Sequence, residues 1–159
     1  MVDVANPFAG CLAPTREVRD MELLISFPGG KRVDASFDGH VVQTDQPVSM
    51  GGGGTAAAPF DLFLASLGTC AGLYVLAFCQ ARGIPTEGLG LVERVQNDPA
   101  THLPTVVDIE VVLPPGFPSR YRTAVQRAAE HCKVKNMLAA PPEVRVVVAS
   151  EQGAVVGAA

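Results

Sequence analysis

Residues 62–81 read LFLASLGTCAGLYVLAFCQA and hold no ionisable side chain other than cysteine and tyrosine. Wound as a helix, the stretch is apolar on every side rather than along one stripe, so the sequence predicts a helix buried all round. Pro59 suits the first turn, where its missing N–H is not needed, and Asp61 complements the positive end of the helix dipole. Gly83-Ile84-Pro85 ends the run. At about 1.5 Å per residue the helix spans roughly 30 Å, which is also the thickness of a bilayer core. Gly68 and Gly72 form a GxxxG pair, the spacing that lets two helices approach closely. Context argues for a soluble core all the same: the apolar run is single, no basic cluster flanks it, and the rest of the chain reads as strands with charged faces.

Outward from this helix, Met21 to Phe27 is rich in apolar residues and stops at Pro28-Gly29-Gly30, a turn signal followed by the alternating run Arg32 to Phe37. Asp38-Gly39 is a hairpin dipeptide, and His40 to Thr44 is the expected return strand. Gly51 to Gly54 is too flexible for a regular element and is expected to be a linker or lid. On the other side, Leu89 to Gln96 and Thr105 to Leu113 alternate as strands, with Asp108 and Glu110 pointing away from Val107, Ile109 and Val111. Pro118 to Leu138 carries Tyr121, Ala124, Val125, Ala128, Ala129 and Cys132 at helical spacing, which predicts a second helix with Cys132 near its end. Val144 to Ala149 is the expected last strand. Segregated strands and helices in this order predict an α+β domain over residues 21–150, with an N-terminal extension over 1–20 and a C-terminal tail over 151–159.

Composition excludes several functions. Twelve basic against sixteen acidic residues give a net charge of −4, with no basic block to neutralise a phosphate backbone, so nucleic acid is not an expected partner. No GxGxxG or Walker motif is present, Ser66 lies in no nucleophile elbow, and the glycine run lacks the lysine a phosphate loop needs. His40, His102 and His131 do not share a metal-ligand spacing, so neither a metal nor a cofactor is expected. Cys11, Cys70, Cys79 and Cys132 form no CxxC pair, which disfavours a disulfide scaffold and a zinc knuckle. Residues 1–20 show no basic leader or apolar signal run, and a cytoplasmic, reducing location is expected, without a membrane. The short Phe8-Ala9-Gly10-Cys11 lacks the leader a lipoprotein site requires.

A cysteine in an apolar helix is by default a small core residue. Two of the four stand in more informative surroundings. The stretch Pro59-Phe60-Asp61-Leu62-Phe63-Leu64-Ala65-Ser66-Leu67-Gly68-Thr69-Cys70 resembles the helix bearing the reactive cysteine of the OsmC-like and organic-hydroperoxide-resistance family. His131-Cys132-Lys133-Val134-Lys135-Asn136 is similar to that family's second-cysteine segment, and Thr44-Asp45-Gln46-Pro47 matches one OsmC-like branch. The resemblance covers about residues 21–149. It implies an intertwined homodimer in which two central helices pack back to back, sheets wrap them, and each active site draws on both subunits. An all-round apolar helix with small Gly68 and Gly72 agrees, since pairing across a two-fold axis would bury it.

The resemblance also implies a thiol-dependent peroxidase. Cys70 would attack an organic hydroperoxide and become a sulfenic acid, Cys132 would condense with it to a disulfide, and a dithiol such as a lipoyl group would restore both thiols. Departures from the family pattern are local. In the organic-hydroperoxide-resistance branch a glutamate stands where this chain has Phe60, leaving Asp61 as the nearest carboxylate. The family cation follows a double glycine, which here precedes Lys31 and Arg32. The proline and histidine after the second cysteine are replaced by Lys133 and Lys135, which would aid the reductant or simply cap a helix end.

Elementary electrostatics says what the cation must do. Lowering a thiol pKa from about 8.5 to about 6 raises the ionised fraction at pH 7 roughly thirtyfold, but falling nucleophilicity returns about tenfold. The larger task is the charge on the departing alkoxide, which a fixed guanidinium stabilises by about 3 kcal/mol. Arg32 is therefore preferred to Lys31 for its planar fork of donors, with Asp61 expected to hold it. Phe63, Leu67 and Tyr74 near Cys70 favour organic peroxides over H2O2. The alternative reading is a non-catalytic dimer of the same fold, a redox sensor or a small-molecule binding protein with an apolar cleft, a role that Phe60 favours.

Overall fold

The computed structural model describes residues 20–148. Most of the expected N-terminal extension, the expected tail over 151–159, and Cys11 lie outside the described residues. Three antiparallel strands come first, β1 (Leu24–Gly29), β2 (Arg32–Phe37) and β3 (His40–Val42), in the order β1-β2-β3. Asp38 and Gly39 both adopt positive φ, 46° and 76°, between the paired residues Phe37 and His40. This is the primed turn whose twist suits a hairpin.

The long helix α1 runs from Pro59 to Gln80, with Pro59 in its first turn and Asp61 near its positive end, as its sequence predicts. It is followed by the antiparallel pair β4 (Gly90–Asn97) and β5 (Pro104–Val112). Leu67, Ala71, Val75, Phe78 and Cys79 form its buried face. Val75, Phe78 and Cys79 meet Ile84, Phe117, Val125 and Ala128 in the core.

Gly68 and Gly72 face β4: a Cβ at Gly72 would touch Leu91 at 3.7 Å, and one at Gly68 would meet the Glu93 carboxylate at 2.6 Å. Within the chain the small pair thus admits a strand rather than a second helix. The expectation of all-round burial is not met inside one chain. Leu73 stays 57% exposed and Leu76 is also exposed, because the strands and α2 cover only part of the helix circumference.

Two further expectations are corrected. The apolar period over 118–138 is continuous, yet the chain turns twice there: a 3-10 turn at Ser119–Tyr121, then α2 (Arg122–Glu130), then a separate α3 (Lys133–Ala139). Cys132 is the N-cap of α3, with φ −47° and ψ 119°, and its sulfur accepts the Lys135 N–H at 3.4 Å. Lys133 and Lys135 therefore stand in the first turn of a helix, where the dipole disfavours cations, rather than at a stabilised C-terminal end. The predicted strand at Val144–Ala149 is not formed over its described part. Val144, Val146, Val147 and Val148 are exposed, Val148 to 97%, because among the described residues no strand edge pairs with them.

The segment between β3 and α1 is held by one carboxylate. Asp45, 2% exposed, accepts the backbone N–H groups of Gln46 (2.8 Å), Gly53 (3.1 Å) and Thr55 (3.0 Å) and the Thr55 hydroxyl (2.8 Å). Its own N–H donates to the Ala57 carbonyl, just before α1. The N–H groups of Gly51, Gly52 and Gly54 turn inward to Val48, Pro47 and Gln46. Gly52 is required there, since a Cβ would stand 1.9 Å from the Gln46 oxygen.

The N–H and hydroxyl of Thr55 hold the Asp45 carboxyl below the usual aspartate range; burial opposes them, and the Gln46 and Gly53 N–H groups add to the lowering. A depressed carboxyl contributes stability that is complete above the unfolded value, about 3.9, and is lost as pH falls through the folded value. Urea midpoints followed below about pH 4 should accordingly fall more steeply for the wild type than for Asp45→Asn. Parallel curves would count against this clamp.

Candidate active site

Cys70 lies at mid-length on α1 and is half-buried, while Cys132 is fully buried at the corner between α2 and α3. The Cys132 thiol donates to the Leu67 carbonyl at 3.6 Å, so the corner is seated one turn before Cys70 on the same helix. Burial pushes the Cys132 thiol up in pKa. The Lys135 N–H opposes this, and hydrogen bonding and charge at Cys70 raise it further. The fold thus brings Cys70 and Cys132 within interacting reach, although 62 positions separate them in the chain. Both are free thiols, as is Cys79. Cys79 sits wholly inside the core, where burial raises its pKa against the lowering effect of Arg82.

The walls around this pair combine aromatic and polar groups. Tyr74, one turn after Cys70, has its ring 6.5 Å from that of His131, the residue before Cys132. An apolar cleft of about 380 Å³ runs along Phe60, Phe63, Leu64 and Leu67 and is closed by Val107 and Leu138. Phe60 stacks on Phe63 with centroids 5.8 Å apart. A more polar cavity of about 570 Å³ between β5 and α2 has Cys132 and Lys135 in its wall, beside Glu110, Arg122 and Glu130.

The expected cation is placed differently. Arg32 opens β2, and its guanidinium donates to the Asp34 carboxylate at 2.8 Å. The partner of Arg32 in this chain is therefore Asp34 and not Asp61, which is exposed in the first turn of α1. The reason is local: residues two apart on a strand share a face, whereas Asp61 stands on another element. That alternation along Arg32-Val33-Asp34 is the signal in the sequence for this pair. Among the described residues, the groups that bear on the Cys132 thiol are Leu67, Cys70, Val134 and Lys135. Neither Arg32 nor Asp61 is among them.

Residues 51–147, more than half of the chain, match the sequence pattern of the OsmC-like protein family. The chain belongs to the OsmC-like family. Among solved structures it is similar to a protein of Psychrobacter arcticus described in terms of osmotic stress and detoxification response. The TM-score is 0.63 at 20% identity, over 72% of this chain and 85% of that one. An OsmC-like protein from Mycoplasma pneumoniae gives a TM-score of 0.61 at 12% identity, covering 77% and 89%. An organic hydroperoxide resistance protein from Legionella pneumophila gives 0.52 at 16% identity, covering 77% and 91%. No curated protein matches the chain. At these identities the structural likeness establishes the α+β OsmC-like fold, in which α1 is the central helix of a domain.

The site's exposure pattern predicts the order of thiol chemistry. Brief treatment of the native protein with iodoacetamide should label Cys70 before Cys79 or Cys132, as read by peptide mass spectrometry. Labelling of Cys132 should accelerate only above the ordinary thiol range, about pH 8.5. Rapid labelling of Cys132 at neutral pH would contradict the burial described above.

Proposed function

We propose that the chain is a thiol-dependent peroxidase that reduces organic hydroperoxides, acting as a homodimer in the cytoplasm. The observation that carries this reading is the juxtaposition of a half-buried thiol, Cys70, with a fully buried one, Cys132, across the α1–α3 corner. In the first step Cys70 thiolate attacks the peroxide O–O bond, giving Cys70 sulfenic acid and an alkoxide that takes up a proton and leaves as the alcohol. In the second, the Cys132 sulfur displaces hydroxide from the sulfenic acid, forming the Cys70–Cys132 disulfide and water. In the third, an external dithiol such as a lipoyl group reduces the disulfide to two thiols and is itself oxidised to a disulfide. Burial keeps Cys132 protonated and unreactive toward outside electrophiles, which leaves the peroxide to Cys70.

Arg32 is the cation of this reading, stabilising the departing alkoxide, and Asp61 complements the start of the helix that carries the nucleophile. The apolar cleft along Phe60, Phe63 and Leu67 supports an organic rather than an inorganic peroxide. Dimerisation is supported by exposed Leu73 and Leu76 on α1, by exposed Leu24, Ile25 and Phe27 on β1, and by the unpaired valines 144 and 146–148. Monomeric proteins rarely leave so much apolar surface uncovered. A second subunit would also offer a route for Arg32, paired with Asp34 in its own chain, to reach the thiols. The alternative, a non-catalytic sensor or binding dimer, is favoured by Phe60, which puts an aromatic ring where the peroxidase branch has a carboxylate.

One equivalent of cumene hydroperoxide separates these readings through intact mass and free-thiol count. Two thiols should disappear in the wild type, a sulfenic acid should be trapped in Cys132→Ser, and Cys70→Ser should not react. Unchanged thiols throughout would leave the binding dimer. Under turnover with excess dithiol, kcat/KM should be higher for cumene hydroperoxide than for H2O2, and the reverse order would refute the assignment of the apolar cleft to substrate.

A further inference from the structure

The ion pair on β2 raises a question of sign. If Arg32 served a peroxide only as a positive charge, a carboxylate 2.8 Å from its guanidinium would be a handicap, because its opposite charge offsets the field the cation projects. The surroundings of that carboxylate indicate another task. Asp34 is 8% exposed, and both of its oxygens are engaged: Oδ2 accepts the Arg32 guanidinium, and Oδ1 accepts the Thr44 N–H at 3.3 Å. Thr44 is in turn bracketed by Val33, whose carbonyl accepts its hydroxyl and whose N–H donates to its carbonyl. The next residue, Asp45, clamps the loop that leads into α1. The orientation of Arg32 is thus tied through Asp34, Thr44 and Asp45 to the segment from which the Cys70 helix starts.

The contact also leaves the guanidinium usable. One of its terminal nitrogens is committed to Asp34, and a guanidinium offers five N–H donors in a fixed plane. The Arg32 side chain is 36% exposed against 10% for Asp34, so an accessible guanidinium is held by a buried anchor. We propose that Asp34 is a positioning residue that aims the Arg32 fork at the peroxide, so that orientation outweighs the charge it cancels. This inference rests on the peroxidase reading given above.

The two possibilities predict opposite changes. Removing the anion from a cation that acts by charge alone speeds the reaction; removing the anchor from a cation that acts by direction slows it. In a Cys132→Ser background, the rate of sulfenic acid formation from cumene hydroperoxide should fall about tenfold to a hundredfold with Asp34→Asn, the range typical of misplaced catalytic groups. Asp34→Glu, which keeps the anion, should recover part of the rate. A rate that is unchanged or raised in Asp34→Asn overturns the proposal.

Arg32→Gln combined with Asp34→Asn removes both ends of the pair and leaves no buried charge unpaired, which guards against simple unfolding of Asp34→Asn. Its rate should equal that of Arg32→Gln alone, and a further loss would mean that Asp34 acts other than through Arg32 and would also overturn the proposal. Should the parent protein itself form no sulfenic acid, the peroxidase reading fails. A reactive parent with an unaffected Asp34→Asn removes only the role of Asp34.

Discussion

Burial of α1 is the constraint from which the rest follows. The helix has 22 residues and only one ionisable carboxylate, at its first turn, so in water it must be covered on nearly all sides. Within one chain the cover is uneven. Val75, Phe78 and Cys79 pack against α2 and the loops beside it, and the glycine pair admits β4. Leu73 and Leu76 remain open to solvent. The same imbalance appears in β1, whose six residues are all exposed. The proposed second copy would cover this apolar surface without any new element.

The thiol pair depends on the same helix. Cys70 is fixed by the rigid middle of α1, and Cys132 by a corner whose buried sulfur is held between the Leu67 carbonyl and the Lys135 N–H. Burial is the largest influence keeping the Cys132 proton in place; the Lys135 N–H opposes it, and the proximity of Cys70 adds to the raising. The two sulfurs are therefore unlike in exposure. The proposed sequence of attack followed by resolution would draw on that asymmetry, since two equally exposed thiols would compete for the same peroxide.

Asp34 and Asp45 extend the argument to the N-terminal sheet. Both are buried carboxylates in a chain with a modest charge content, and both spend their oxygens on backbone N–H groups or on an arginine. Isolated buried anions are costly, so such residues are tolerated only where they organise something. Asp45 organises the glycine loop and the entry to α1. Asp34 fixes the Arg32 guanidinium on its own strand, whereas Asp61 stands on α1.

What the sequence determined by itself was local and periodic. The bounds of α1, the Asp38-Gly39 turn, the strand β2 and the pair β4–β5 follow from side-chain period, positive-φ residues and caps, all of which act over a few neighbours. Family resemblance added the pairing of Cys70 with Cys132. Only the tertiary structure decided the break at Cys132, because the apolar period runs on through it and the turn is made by a sulfur seated against a distant helix. It alone decided the Arg32–Asp34 pair, the inward-turned glycine loop and the unpaired valines near the end of the described chain. Each depends on which groups find partners in space, and the free energy of burying or pairing a group belongs to that three-dimensional neighbourhood rather than to its position in the chain.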